Sequence, residues 1–72
     1  MNKQQQRVLE WLKVQNESPY QDPFQTIFLL INRASNPERM QYPKEYFELF
    51  DIEMFQVLAA FAEWGLSNEK SD

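Results

Sequence analysis

Residues 43–64 read PKEYFELFDIEMFQVLAAFAEW and contain no glycine, with a proline only at the first position. On an α-helix, which turns by about 100° per residue, eight apolar side chains of this stretch fall within an uncharged arc of roughly 120°. These residues are Tyr46, Phe47, Phe50, Met54, Val57, Leu58, Phe61 and Trp64. The pattern predicts one continuous helix over residues 43–64. We expect Phe47, Phe50, Met54, Val57 and Phe61 to lie in the core.

The two ends of this stretch carry helix boundary signals. Proline suits the first helical turn, because the N–H group that it lacks has no helical partner there, and Pro43 occupies that position. Glycine often follows the last residue of a helix, as Gly65 does here. Asp51 leaves an alternative open, since a cap at this residue divides the stretch into helices at 43–50 and 52–64. The unbroken phase of the apolar stripe favours the single helix.

A second, shallower apolar strip lies on the other side of the same helix, beside the polar residues Gln56 and Glu63. This outer strip consists of Ile52, Phe55, Ala59 and Ala62. A helix with two apolar strips is able to contact two neighbours at once. Small alanines allow close approach of another helix, and large apolar residues such as phenylalanine form the buried centres of interfaces. We therefore predict that the outer strip is a protein interface.

Two shorter helices are predicted before the long one. Asn2 and Gln5 have the spacing of a capping box, and they open a helix over residues 3–15. Its narrow apolar stripe consists of Val8, Leu9 and Leu12, whereas its glutamines are expected on the solvent side.

Asp22 and Pro23 give the strongest helix start in the chain, a cap followed by proline at the first helical position. The predicted helix covers residues 23–34, and Gln25, Thr26, Asn32 and Arg33 lie on its polar face. The opposite, apolar face consists of Phe24, Ile27, Phe28, Leu30, Ile31 and Ala34.

The predicted fold is all-α, a small three-helix bundle with a long C-terminal helix. A possible extra short helical turn lies near residues 37–41, because Pro37 prevents the second helix from continuing. The helical domain is expected over residues 1–66, followed by a polar C-terminal tail over 67–72.

Composition points to self-association. A chain of 72 residues buries only about 60 % of its unfolded surface, so its stability is marginal without help. The chain has no cysteine and no histidine, which excludes disulfides, thiolate metal sites and imidazole ligands. The remaining sources of stability are good packing, which the aromatic share of 15 % favours, and self-association. We predict a homodimer formed through the long helix.

The net charge of −4 argues against direct binding to nucleic acid, which requires clustered lysine and arginine. The long helix instead carries an acidic face, which is either a solvated surface or a contact surface for a basic partner. Its residues are Glu45, Glu48, Asp51, Glu53 and Glu63.

No catalytic, cofactor-binding or metal-binding residue is predicted. The four serines lie beside proline, asparagine or other turn residues, where capping explains them. A divalent-ion site from Glu45, Glu48 and Asp51 is conceivable, but it lacks the glycine turn and the acid spacing of a calcium loop. The sequence therefore argues against an enzyme.

No apolar stretch of the N-terminal half resembles a signal peptide or a membrane span, since the longest run there is Ile27–Ile31. We expect a cytoplasmic protein without membrane contact.

Two functions follow from the sequence. The first is a small acidic helical protein-interaction module that self-associates through its long C-terminal helix. The alternative is a small regulator or inhibitor of bacterial or prophage type, which binds a basic, nucleic-acid-associated protein through the acidic face. In size, acidity and glutamine-rich start, the chain is similar to small accessory proteins of bacterial and prophage genomes, although this similarity covers no alignable residues.

Overall fold

The computed structural model describes residues 1–17, 22–35 and 42–69. Within these ranges the chain forms three α-helices and no strand, so the predicted all-α class is confirmed. The possible turn at 37–41 lies outside the described residues. The helices are α1 (Lys3–Asn16), α2 (Pro23–Ser35) and α3 (Asp51–Glu69), with a 3₁₀ helix at Lys44–Glu48 before α3.

The N-terminus of α1 is closed by the predicted capping box. The Asn2 side-chain oxygen accepts a hydrogen bond from the Gln5 backbone N–H at 2.8 Å. The Gln5 side-chain oxygen in turn accepts from the Asn2 backbone N–H at 2.9 Å. Two N–H groups that the first helical turn leaves without a partner are thereby satisfied.

The predicted cap of α2 is also confirmed, since the Asp22 carboxylate accepts a hydrogen bond from the Gln25 backbone N–H at 2.8 Å. The assignment of Thr26 to a polar, solvent-facing side is wrong, because Thr26 is fully buried. Its hydroxyl oxygen lies 2.9 Å from the Asn16 side-chain oxygen and 3.0 Å from the Asp22 carbonyl oxygen. A buried hydroxyl needs such partners, and here they tie the start of α2 to the end of α1.

The single helix predicted over 43–64 is wrong, because the chain is extended at Leu49 and the 3₁₀ helix and α3 are separate. This backbone conformation accompanies the burial of Leu49 in the core. The break follows the alternative division near Asp51, although Asp51 is the first residue of α3 and not its cap. Glu53 accepts a hydrogen bond from the Phe50 backbone N–H at 2.9 Å, which fixes the start of α3.

The end of α3 also differs from the prediction. The helix continues through Gly65 to Glu69, so the expectation that Gly65 ends the helix is wrong. Gly65 has no positive φ angle, and a Cβ atom placed on it meets no packing neighbour within 4 Å.

The core lies along α1, which packs against α2, α3 and the 3₁₀ helix. The predicted stripe of α1 is confirmed as its centre. The buried apolar residues are Val8, Leu9, Leu12, Leu30, Leu49, Val57 and Phe61. Tyr46, Met54 and Trp64 are partly buried against this core, as is Ile27.

Two residues predicted in the core are exposed instead. Phe47 and Phe50 both lie on the surface, because the break after the 3₁₀ helix changes the phase of the chain before α3 begins. Leu58 is exposed as well, at the margin of the face that Val57 and Phe61 bury.

Gln5 was expected on the solvent side of α1 but is buried. Its side-chain amide donates hydrogen bonds to the Gln56 side-chain oxygen at 2.6 Å and to the Glu53 carbonyl oxygen at 3.2 Å. Asn2 adds a third bond, from its side-chain amide to the Glu53 carboxylate at 2.6 Å. These four residues form a polar bridge between the N-terminal turns of α1 and α3.

We predict that Gln5→Ala destabilises the fold by about 1–2 kcal/mol, because it removes half of the capping box and the bonds to α3. The free energy of unfolding from urea denaturation measures this change. Gln6→Ala is the matched control, since Gln6 is exposed and the change there is expected to stay within about 0.5 kcal/mol. An equal change in the free energy of unfolding for the two substitutions would show that the polar bridge does not stabilise the fold.

Gly65→Ala should stabilise the fold by about 0.5–1 kcal/mol, because alanine is the better helix former and the new methyl group has free space. The shift of the thermal unfolding midpoint, followed by circular dichroism, measures the gain. A lower midpoint for the variant would show that the backbone at Gly65 is not helical.

Candidate protein-interaction surface

The outer strip lies on the face of α3 that points away from the core. Ile52 is 67 % exposed and Phe55 is 71 % exposed. Ala59 and Ala62 are exposed as well. In the described part of the chain all four of these residues are thus exposed, whereas Val57 and Phe61 of the same helix are buried.

Leu66 extends the outer strip by one further turn and is also exposed. The positions 52, 55, 59, 62 and 66 alternate in spacing between three and four residues, the heptad pattern of a helix that packs lengthwise against another helix. Sequence reasoning missed Leu66 because it ended the helix at Gly65. The regular spacing beyond Gly65 was the signal that could have found it.

A second exposed apolar surface lies on α2. Phe24 is 86 % exposed, and Phe28 and Ile31 of the same predicted apolar face are exposed too. Leu30 is buried and Ile27 is half-buried, so α2 turns only one edge of its apolar face to the core. The helical period predicted correctly which residues share the apolar face of α2. This face is wider than the part of it that packs against α1.

Between α2 and α3 the structure leaves an open groove, the α2–α3 groove. Its deeper part, about 150 Å³, is lined by apolar residues of all four helical segments, among them Leu12, Leu30 and Tyr46, and by Leu49. Its wider part, about 810 Å³, runs between the start of α2 and the second half of α3. Both parts share Ile27 and Leu58 as lining residues, so they lie next to each other. The wider part is lined by residues that include Glu17, Asp22, Phe24, Ala62, Gly65 and Leu66.

The residues of the predicted acidic face are divided between two helical segments. Glu45 and Glu48 belong to the 3₁₀ helix, whereas Asp51, Glu53 and Glu63 belong to α3. Glu48, Asp51 and Glu63 are exposed, and Glu45 and Glu53 are half-buried. The Glu53 carboxylate already accepts hydrogen bonds from within the chain, so part of the acidic face stabilises the start of α3.

Over the described ranges, no three Asp, Glu, His or Cys side chains come together in a group that could hold a metal ion. In the same part of the chain, no helix combines the length and the apolar character that crossing a membrane requires.

Comparison with known proteins gives no relative: no family model, no curated protein and no solved structure matches the chain. We therefore infer function from the surfaces just described.

We predict that Phe24→Ala changes the free energy of unfolding by no more than about 0.5 kcal/mol, because its side chain contributes little to the core. Leu12→Ala, at a side chain that is 1 % exposed, should cost about 2–5 kcal/mol. Chemical denaturation of both variants measures the difference. A large loss for Phe24→Ala would mean that the α2–α3 groove is closed in solution.

Proposed function

We propose that the protein is a cytoplasmic, non-enzymatic protein-interaction module that self-associates through α3. The contact surface is the outer strip, Ile52, Phe55, Ala59 and Ala62, extended by Leu66. The observation that supports this proposal is the exposure of Ile52 and Phe55, two large apolar side chains one helical turn apart on the longest helix. Exposed apolar residues that occur singly are ordinary, but a continuous patch is typical of an interface.

The energy of this contact favours a reversible dimer. In a two-fold dimer every contact occurs twice, so Ile52, Phe55 and Leu66 of both copies become buried together. Full burial of a large apolar side chain stabilises by about 1.5–3 kcal/mol. Association costs an estimated 4–15 kcal/mol, so the net gain is modest. We therefore expect a dimer that forms in the micromolar range and dissociates on dilution.

Charge favours an antiparallel arrangement of the two α3 helices. No lysine or arginine occurs between Lys44 and Lys70, so a parallel pair would place each acidic residue of α3 beside its own copy. An antiparallel pair sets Phe55 opposite Leu66 of the other copy and Ala59 opposite its Ala62. The two Glu63 residues are then five positions, or about 7.5 Å, apart along the axis.

The alternative, a regulator that binds a basic protein through the acidic face, has weaker support. Its five carboxylates lie on two helical segments, and that of Glu53 is hydrogen bonded to Asn2 and Phe50. The outer strip has no such internal role.

Phe55→Glu tests the proposal, because a carboxylate at the centre of an apolar contact must lose its hydration. We expect the wild-type chain to change from monomer to dimer across a micromolar dilution series in analytical ultracentrifugation. The variant should remain a monomer throughout, with an unchanged circular dichroism spectrum.

Phe47→Glu is the matched control, since Phe47 is 61 % exposed but lies on the 3₁₀ helix, outside the outer strip. This variant should still dimerise. A wild-type chain that is monomeric at every concentration, or a dimer that survives Phe55→Glu, would refute self-association through α3.

A further inference from the structure

We propose that the α2–α3 groove binds an amphipathic helix of a different protein. The apolar face of that helix enters the groove, and its flanking lysine and arginine side chains meet Glu17 and Asp22. This inference goes beyond the self-association proposed above and uses an adjacent side of α3, which shares Ala62 and Leu66 with the outer strip.

The shape of the groove fits a helix. Its two long walls are helices, and α2, with 13 residues, is about 20 Å long. A partner helix of three to four turns has the same length, and such a helix places apolar residues along one face at intervals of three and four. The lining supplies the matching apolar surface, with Phe24 and Ile27 on one wall and Leu58 and Leu66 on the other.

The position of Gly65 is a second, independent observation that favours a partner helix in the groove. Glycine is a poor residue inside a helix, and neither backbone conformation nor packing within the chain explains it at this position. Gly65 nevertheless lines the groove, next in sequence to Leu66 and three residues after Ala62. The missing side chain therefore leaves room above the α3 backbone for another backbone to approach closely.

The charge around the groove favours a helix with basic flanks over the α3 of a second copy. Two carboxylates, Glu17 and Asp22, line the wider part, and among the described residues no lysine or arginine lines either part. Lys13 is a basic residue near the groove, because its ammonium group lies 6.0 Å from the ring of Trp64, which lines the groove. That ammonium group forms an ion pair with the Glu10 carboxylate at 3.8 Å.

A second copy that inserted its α3, the helix that carries the outer strip, would bring the wrong charge. Its α3 carries Asp51, Glu53 and Glu63 and no basic residue, so it would meet Glu17 and Asp22 with repulsion. A helix with basic flanks meets the same carboxylates with attraction, which selects the partner and speeds association.

The groove and the outer strip are separate enough to be tested separately. On the α3 helix, Leu58 and Gly65 lie about a quarter turn from the centre of the outer strip. Ala62 and Leu66 belong to the edge between the two surfaces, whereas Gly65 and Phe24 belong to the groove and Phe55 to the strip.

The test is a titration of the isotope-labelled full chain with two synthetic peptides, followed by NMR. The basic peptide repeats the heptad LKKLLKL twice, and the acidic peptide repeats LEELLEL, with the same apolar pattern. We expect saturable binding of the basic peptide, with the largest amide shifts at Ile27, Leu58 and Gly65, and no binding of the acidic peptide.

Two variants then locate the contact. Gly65→Leu should weaken binding of the basic peptide at least tenfold while the chain stays folded, because its new side chain fills only the open groove. The double variant Glu17→Gln and Asp22→Asn should also weaken binding and reduce its dependence on salt, since asparagine preserves the helix cap of α2.

Phe55→Glu is the control that separates this inference from self-association, since it should leave binding of the basic peptide unchanged. Equal binding of both peptides, amide shifts confined to the outer strip, or full affinity in Gly65→Leu would overturn the proposal. Groove amides that shift on concentrating the chain without peptide would also overturn it, because a second copy would then be the occupant.

Discussion

The structure depends on the packing of one narrow stripe of α1 against every other helical segment. Val8 and Leu12 are almost completely buried, and they line the deeper part of the groove together with residues of α2, the 3₁₀ helix and α3. Because this stripe is narrow, α2 and α3 both pack on α1 without packing against each other along their length. The open groove and the exposed apolar faces of α2 and α3 follow from this arrangement, because the chain has no fourth helix to cover them among the described residues.

The polar bridge sets the rotation of α3 about its axis. Gln5 bonds to Glu53 and Gln56, and Glu53 in turn caps the first turn of α3. Once that turn is fixed, the helical period directs Val57 and Phe61 to the core and Phe55 to the outside. The outer strip is thus positioned by hydrogen bonds from the N-terminal turn of α1, more than forty residues away in sequence.

Sequence reasoning located α1 and α2 to within one residue and identified the buried stripe of α1, because capping residues and helical period are local signals. It failed where the outcome depended on neighbours. The stripe over 43–64 keeps its phase across Asp51, so periodicity alone could not reveal that Leu49 leaves the helix to enter the core. Likewise, the helical period places Phe24 and Leu30 on one apolar face of α2. It does not predict how much of that face packs against α1. Gln5 and Thr26 were placed outside because burial of a polar side chain depends on partners that only the fold brings together.

The contacts between α1 and α3 also determine the order of events in folding. The polar bridge joins Asn2 to Glu53, residues 51 positions apart, so loop closure over most of the chain must precede it. During synthesis α1 emerges first, and its apolar stripe lacks its main partner until α3 has left the ribosome. The apolar stripe of α1 is therefore unprotected while the segments between the two helices are made, and α3 completes the core that α1 begins.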